Sequence, residues 1–337
     1  MEKEKIPSRL ELQAQVPKMK AERPELNKAH SKVLQMVLYQ LYSNLKALSQ
    51  LKRNGKKVGR LRFKGRGWYK TFVYNQSGFK LIKTEKRLDM LCLSKIGEIP
   101  IRIHREVEGT IKQVVIKRHS SGKWFACLCV ERDIHIAERK PEKAIGIDVG
   151  IRRFLTDNDG RQIENPRFYE RPLEKIRVTQ HWLSRKKKGS RNRERQRVKL
   201  AKLYEKLVNQ RNDFLHKLSM FYVNNYNVIC VEDLNIKGMV RNRNLAQKIL
   251  DASWGKFLQI LSYKAEGAGG MVVKVNPRGT SREYKHGELN RDYNASLNIL
   301  ERGLAGLGRP FEPVGLKPLL VAVPASVIVE AGSPHHL

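Results

Sequence analysis

Three acids in the second half of the chain stand where carboxylates do chemistry. Ala144-Ile-Gly-Ile-Asp-Val-Gly150 is an apolar run with glycines around a single acid, Asp148, and reads as a buried strand ending at a site. The two glycines leave its backbone room near a phosphate. Val228-Ile-Cys-Val-Glu-Asp-Leu234 is another apolar strand that ends in acid, at Glu232. Asn290-Arg-Asp-Tyr-Asn-Ala-Ser-Leu-Asn-Ile-Leu300 opens a helix whose first turn holds Asp292. Three carboxylates from two strand ends and a helix start converge only in a folded α/β domain. Oxygen ligands of this kind suit Mg²⁺ or Mn²⁺. Two such ions across a phosphodiester activate water and stabilise the leaving 3′ oxygen.

Each acid alone has a plainer reading. A strand-end Asp is usually a turn residue or a cap. Asp292 lies at a helix N-terminus, where any carboxylate is favoured, and Arg291 beside it offers an ion pair. Glu232 and Asp233 are neighbours and either fits a ligand; strand alternation favours Glu232 and leaves Asp233 as a turn acid or a support. Three acids in this order, each in an apolar element of the right type, are hard to obtain by chance. The functional reading is preferred.

The elements that would carry these acids are legible around them. Residues 1–26 are charged, proline-punctuated and aperiodic, and read as a loosely packed start. Asn27 to Leu51 reads as a helix whose Leu34, Leu38, Leu41, Leu45 and Leu48 form a seam wanting a partner helix, stopped by Asn54-Gly55. From Val58 to about Val130, short strands between Gly and Ser turns predict a small antiparallel barrel: Phe72–Tyr74, Leu88–Leu93, Ile99–Ile103, Thr110–Ile116 and Trp124–Val130. Arg60, Arg62, Lys64, Arg66 and Lys70 stud its first part, with Trp68 and Tyr69 among them. Charge for phosphates and rings for bases make a nucleic-acid face; the plainer reading is a solvated rim.

Pro141 marks a domain boundary. After the Asp148 strand, Arg152–Thr156 is a second strand and Asp157-Asn-Asp-Gly160 a hairpin turn. Leu173 to about Val223 reads as a helical hairpin turning at Lys186–Ser190. Its basic face holds Arg185, Lys186, Lys187, Lys188, Arg191, Arg193, Arg195, Arg197 and Lys199. The bias is nearly all one sign, so ion pairs along the helix do not explain most of it. A nucleic-acid backbone does. Leu245 to Glu266 reads as one helix, Met271–Val275 as a buried strand, and the tail from about Leu304 as irregular.

Composition agrees with that partner. The 337 residues allow two or three domains. Against 33 Asp+Glu stand 67 Lys+Arg, a formal charge of +34 that repels itself unless a polyanion neutralises it. A membrane-surface protein would need an amphipathic anchor or a long apolar run, and a merely basic thermophile protein a less one-sided balance. Cys92, Cys127, Cys129 and Cys230 lie in apolar strand-like runs without a C-x-x-C pair, and read as buried, reduced thiols. No leader or membrane span is visible, so a cytoplasmic location is expected, nucleoid-associated when bound to DNA.

Val231-Glu-Asp-Leu-Asn-Ile236, Asp251-Ala-Ser-Trp254, Asn276-Pro-Arg-Gly-Thr-Ser281 and Arg291-Asp-Tyr-Asn-Ala295 resemble the TnpB/OrfB family, transposon-encoded proteins related to the type V CRISPR effector nucleases. The resemblance runs from about Pro17 onward and is most specific in the second half. It implies an α+β and α/β chain in four parts: 1–55, a helical recognition-lobe remnant; 56–140, a wedge-like β-barrel that grips guide RNA and DNA; 141–303, an RNase H-like (RuvC) nuclease domain with the basic hairpin 173–223 inserted against an RNA–DNA duplex; and 304–337, an irregular tail. It implies an RNA-guided DNA endonuclease in which Asp148, Glu232 and Asp292 are the catalytic acids and the Mg²⁺ (or Mn²⁺) ligands, with Asn294 supporting that loop. The implied partners are a guide RNA from the transposon end and double-stranded target DNA, with no membrane.

Two departures qualify this expectation. Family members usually carry a zinc ribbon between the Thr-Ser and Arg-Asp motifs, but Arg282 to Arg291 contain no cysteine, and His286 alone makes no tetrahedral site. No zinc is expected there. The start also looks short of the family's opening strand, which would leave a barrel edge unpaired. The alternative expectation is therefore a truncated relative that binds RNA or DNA without cutting. A strand-transfer transposase is a third, more distant reading.

Overall fold

The computed structural model describes residues 7–63, 65, 67–133, 143–282 and 290–308. They form two compact units, one up to residue 134 and one from 135.

The first unit opens with helices α1 (Arg9–Glu22) and α2 (Ser31–Arg53), joined by a 3₁₀ turn at Pro24–Lys28. Helix α1 falls in the stretch expected to be loose. Its start is a reciprocal cap: Glu11 N donates to Ser8 Oγ at 3.2 Å and Ser8 N to Glu11 Oε2 at 2.8 Å. No residue of α1 is buried and Pro17 lies inside it, so apolar periodicity had nothing to reveal. It packs on α2, with Arg9 over the Tyr39 ring at 4.1 Å, but no residue of α2 is buried and Leu41 of the expected seam is 38% exposed. The 3₁₀ turn displaces the start of α2 from Asn27 to Ser31.

Six strands follow: β1 (Thr71–Asn75), β2 (Phe79–Ile82), β3 (Asp89–Leu93), β4 (Gly97–Ile101), β5 (Thr110–Arg118) and β6 (Trp124–Glu131). They pair antiparallel as two three-stranded sheets, β1-β5-β6 and β2-β3-β4, and among the described residues these ladders close no barrel. The chain changes sheets at Gln76–Gly78, where Gln76 and Gly78 take positive φ of 65° and 88°. A side chain on Gly78 would meet His30 at 2.7 Å. Tyr74, Leu91, Leu93, Val114 and Ile116 form a core common to both sheets. Along β6, exposure alternates, with Ala126, Leu128 and Val130 half-buried on one face and the other face open. Cys127 and Cys129 are exposed there and Cys92 is half-buried, contrary to the expected burial; Cys230 alone of the four is buried.

The second unit contains β7 (Ala144–Val149), β8 (Arg153–Asp157), β9 (Gln162–Glu164), α3 (Leu173–Ser184), α4 (Arg191–Asn225), β10 (Val228–Glu232), α5 (Ile236–Met239), α6 (Arg243–Ala252), α7 (Trp254–Gly267), β11 (Met271–Val275) and α8 (Arg291–Gly306). Its sheet runs β11-β10-β7-β8-β9. Strands β7, β10 and β11 are parallel, while β7, β8 and β9 form an antiparallel meander. Ile145, Ile147 and Val228 to Val231 are buried, as central strands covered on both faces require. On one face α8 packs over Val228, Cys230 and Val275 with Ile299 and Leu300. Phe154, Phe214, Leu218, Tyr222, Phe257 and Leu261 belong to the other, larger core, where Phe154 meets Phe214 and Phe257 edge-on at 5.0 and 5.4 Å. Strand β11 is an edge strand in which only Val275 is buried, not the buried strand expected.

The helix expected over Leu245–Glu266 is two helices. Ser253 takes a left-handed conformation (φ 57°) and its Oγ donates to Leu250 O at 2.8 Å, ending α6 and redirecting α7 so that Trp254, Phe257 and Leu261 reach the core. Just before the break, Asp251 accepts Tyr169 N at 3.0 Å and Arg211 Nη2 at 2.6 Å. No described helix is long and apolar enough to cross a membrane.

Candidate active site

Strands β7 and β10 are neighbours and parallel, with Ile147 opposite Val231, so Asp148 and Glu232 follow one another at the same end of the sheet. Helix α8 brings Asp292 to that end. Asn290 caps it, its Oδ1 accepting Asp292 N at 3.1 Å and Tyr293 N at 3.4 Å. The packing of α8 on the sheet depends on Gly146. A Cβ there would collide with Ser296 O and lie 2.8 Å from Leu300 Cβ. The sequence suggested that this glycine leaves room for a phosphate; the room is taken by a helix.

The electrostatics register the convergence. Burial, then the charges of Glu232 and Asp292, push the Asp148 carboxyl up to about 8, with Arg291 opposing. Burial also raises Glu232, against a hydrogen bond from Thr280 and the charge of Arg302. Asp233 points elsewhere: it is exposed and pairs with Lys274 at 3.5 Å, as a turn acid would. Among the described residues no three His, Cys, Asp or Glu side chains are gathered tightly enough to hold a metal ion. The chemistry of the donor set nevertheless suits a hard divalent cation, because positive charge among the acids would relieve the repulsion that raises Asp148.

Three residues in this surround escaped sequence reasoning. Thr280 Oγ1 donates to Glu232 Oε1, Asn298 Nδ2 donates to Thr280 O at 2.8 Å, and Arg302 Nη1 donates to Arg278 O at 2.7 Å and Asn276 O at 3.0 Å. Thr280 belongs to a motif that carried the resemblance, but nothing in its spacing names a partner. Asn294 is fully buried in the first turns of α8.

The expected nucleic-acid residues divide. In the first unit Arg60, Arg62, Trp68, Tyr69 and Lys70 are exposed, Trp68 and Tyr69 by about 70%. Arg62, Trp68, Tyr69 and Lys70 line a groove of about 720 Å³ beside α2. Lys64 and Arg66 lie outside the described residues. In the hairpin of α3 and α4, Arg185, Lys187, Lys188, Arg191, Arg195 and Lys199 are exposed and Lys186 is half-buried. Two of the expected residues have other employment. Arg193 Nη1 donates to Leu183 O at 2.6 Å and Lys186 O at 3.1 Å, closing the hairpin turn. Arg197 pairs with Glu194 at 2.5 Å. The segment 283–289, which includes His286 and the position of the absent zinc ribbon, lies outside the described residues, as does the tail from 309.

Fold and site together define a mixed α/β protein with three acids at one end of a five-stranded sheet. A family model described as a probable transposase, of the OrfB IS605 type, matches residues 127–243, and a Cas12f1-like TNB domain model matches residues 254–299. An Escherichia coli protein named "Putative RNA-guided DNA endonuclease InsQ" is 30% identical over 305 residues, covering 79% of this chain and 75% of that protein. A protein of the same description from Streptomyces pristinaespiralis is 33% identical over 243 residues, covering 65% of this chain and 60% of its own length. The solved structure titled "Cryo-EM structure of the Cas12f1-sgRNA-target DNA complex" overlaps 78% of this chain and 70% of that one at 15% identity, with a TM-score of 0.47, too loosely to bear on the fold. The chain belongs to the TnpB/OrfB family.

Proposed function

We propose that this chain is a transposon-associated, RNA-guided DNA endonuclease that hydrolyses phosphodiesters in its second, RNase H-like unit. The convergence of Asp148, Glu232 and Asp292 on one sheet end carries the reading. The sheet order, with a three-strand meander beside two parallel strands, supports the RNase H-like assignment, and the relatives' names support the activity. Asp148, Glu232 and Asp292 are the residues that would hold Mg²⁺ or Mn²⁺, which when bound supplies an activated water and charge stabilisation at the leaving oxygen. The rest falls to the chain itself. Thr280 fixes one oxygen of Glu232, Asn290 fixes the first turn of α8, and buried neighbours keep the acids in a low-dielectric setting. The exposed cations of the hairpin and of residues 60–70 hold guide RNA and double-stranded target DNA by their phosphates, with Trp68 and Tyr69 offering rings to unpaired bases.

The test is cleavage of a DNA target by the protein with its transposon-end guide RNA and Mg²⁺, beside Asp148→Ala. Guide-directed cuts that fall by about 10³-fold or more in the variant, with RNA binding retained, are expected. Tight RNA binding without any cutting by the parent would make the chain a binding protein and sink the nuclease reading.

A further inference from the structure

Resting on the acid-site reading above, we propose that Thr280 is a positioning residue for Glu232, held in place by α8, so that one helix both delivers Asp292 and sets the orientation of a second acid. Thr280 is 1% exposed and follows the end of β11, across the sheet from β7. Its hydroxyl lies within reach of two acceptors, Glu232 Oε1 and, at 3.0 Å, Pro277 O. A hydroxyl has one hydrogen to give, and an ionised carboxylate takes it in preference to a neutral carbonyl. One oxygen of Glu232 is thereby tied to the protein and the other left to the site.

The tie is worth only as much as the loop that bears it, and that loop is fastened to α8 at two points a turn apart. Asn298, 1% exposed, donates to Thr280 O at 2.8 Å. Arg302 donates to Arg278 O at 2.7 Å and Asn276 O at 3.0 Å. Asn276 Oδ1 in turn accepts Arg278 N at 3.0 Å, closing the loop on itself. Partners that orient a ligand, without touching the ion or the substrate, commonly change metal affinity or activity by about 10–100-fold.

The experiment measures Mn²⁺ binding to the full-length protein by calorimetry in four forms: parent, Asp148→Ala, Thr280→Val, which keeps the shape and loses the hydroxyl, and Thr280→Ser, which restores it. Cleavage rate at saturating Mg²⁺ and melting temperature are followed alongside. Binding weakened at least about tenfold by Thr280→Val and recovered to within about threefold by Thr280→Ser is expected, with guide RNA binding unchanged. Should Thr280→Val fail to fold, Thr280→Ala, smaller than the native side chain, gives the same comparison. Mn²⁺ binding that depends on Asp148 yet survives Thr280→Val, or a Ser variant as weak as Val, overturns this inference alone. Binding that Asp148→Ala leaves untouched overturns the acid-site reading and this inference with it.

Discussion

At the scale of single residues, Asp148 makes the most demanding prediction. Its carboxyl sits at about 8 in the fold and near about 3.9 in an unfolded chain. The native state therefore binds that proton more tightly. The stability it contributes is complete below about pH 4 and is lost as pH rises through about 8. Thermal melts of the metal-free protein in chelator should fall between pH 5 and 8.5, and fall less in Asp148→Asn, which keeps the neutral form. Parallel profiles for the two proteins would refute the shift. Gly146→Ala should cost about 2 kcal/mol or more in denaturant titrations, because overpacking against Ser296 and Leu300 lifts α8 off the strand. The three acids stood out in the sequence because Asp148 and Glu232 each end an apolar strand and Asp292 opens an apolar helix. The duty of Gly146 was not, since a glycine near an acid reads the same whether a phosphate or a helix needs the space.

Among the elements, the α3–α4 hairpin was readable almost to its ends, because its leucines keep helical period and its turn is marked by Gly189-Ser190. Its arginines look alike in sequence and differ in the fold. Arg193→Ala should lower the melting temperature, as it removes two hydrogen bonds that close the turn, each worth about 1–2 kcal/mol. Arg195→Ala and Lys199→Ala should leave melting unchanged, and each should reduce the salt dependence of nucleic-acid binding by roughly one unit of log–log slope. The break at Ser253 was missed because its apolar residues continue the same helical count on either side, while only the φ of one serine reveals the turn. Asp251→Ala should cost about 3 kcal/mol by orphaning Arg211 of α4, which is only 17% exposed and pairs with it across from α6. Helix α1 was missed for the opposite reason, a clear cap with no apolar face behind it.

For the whole molecule, the formal charge of +34 was the plainest signal and also the least specific. It names a polyanion, not which one; the second unit's chemistry and the relatives narrow it. Five of the first unit's six strands were legible, the short β2 (Phe79–Ile82) being missed, while their pairing was not, because nothing local announces that the chain changes sheets at Gln76. Non-local pairing of this kind also governs when the site comes into being. The acids arrive in the order Asp148, Glu232, Asp292, and the last rides on the helix that must settle over Gly146 before the sheet is covered. A chain still on the ribosome therefore holds two of its three acids beside an open apolar sheet. The same docking event that buries the sheet also completes the trio, so on the proposed reading a half-made copy is not yet a nuclease.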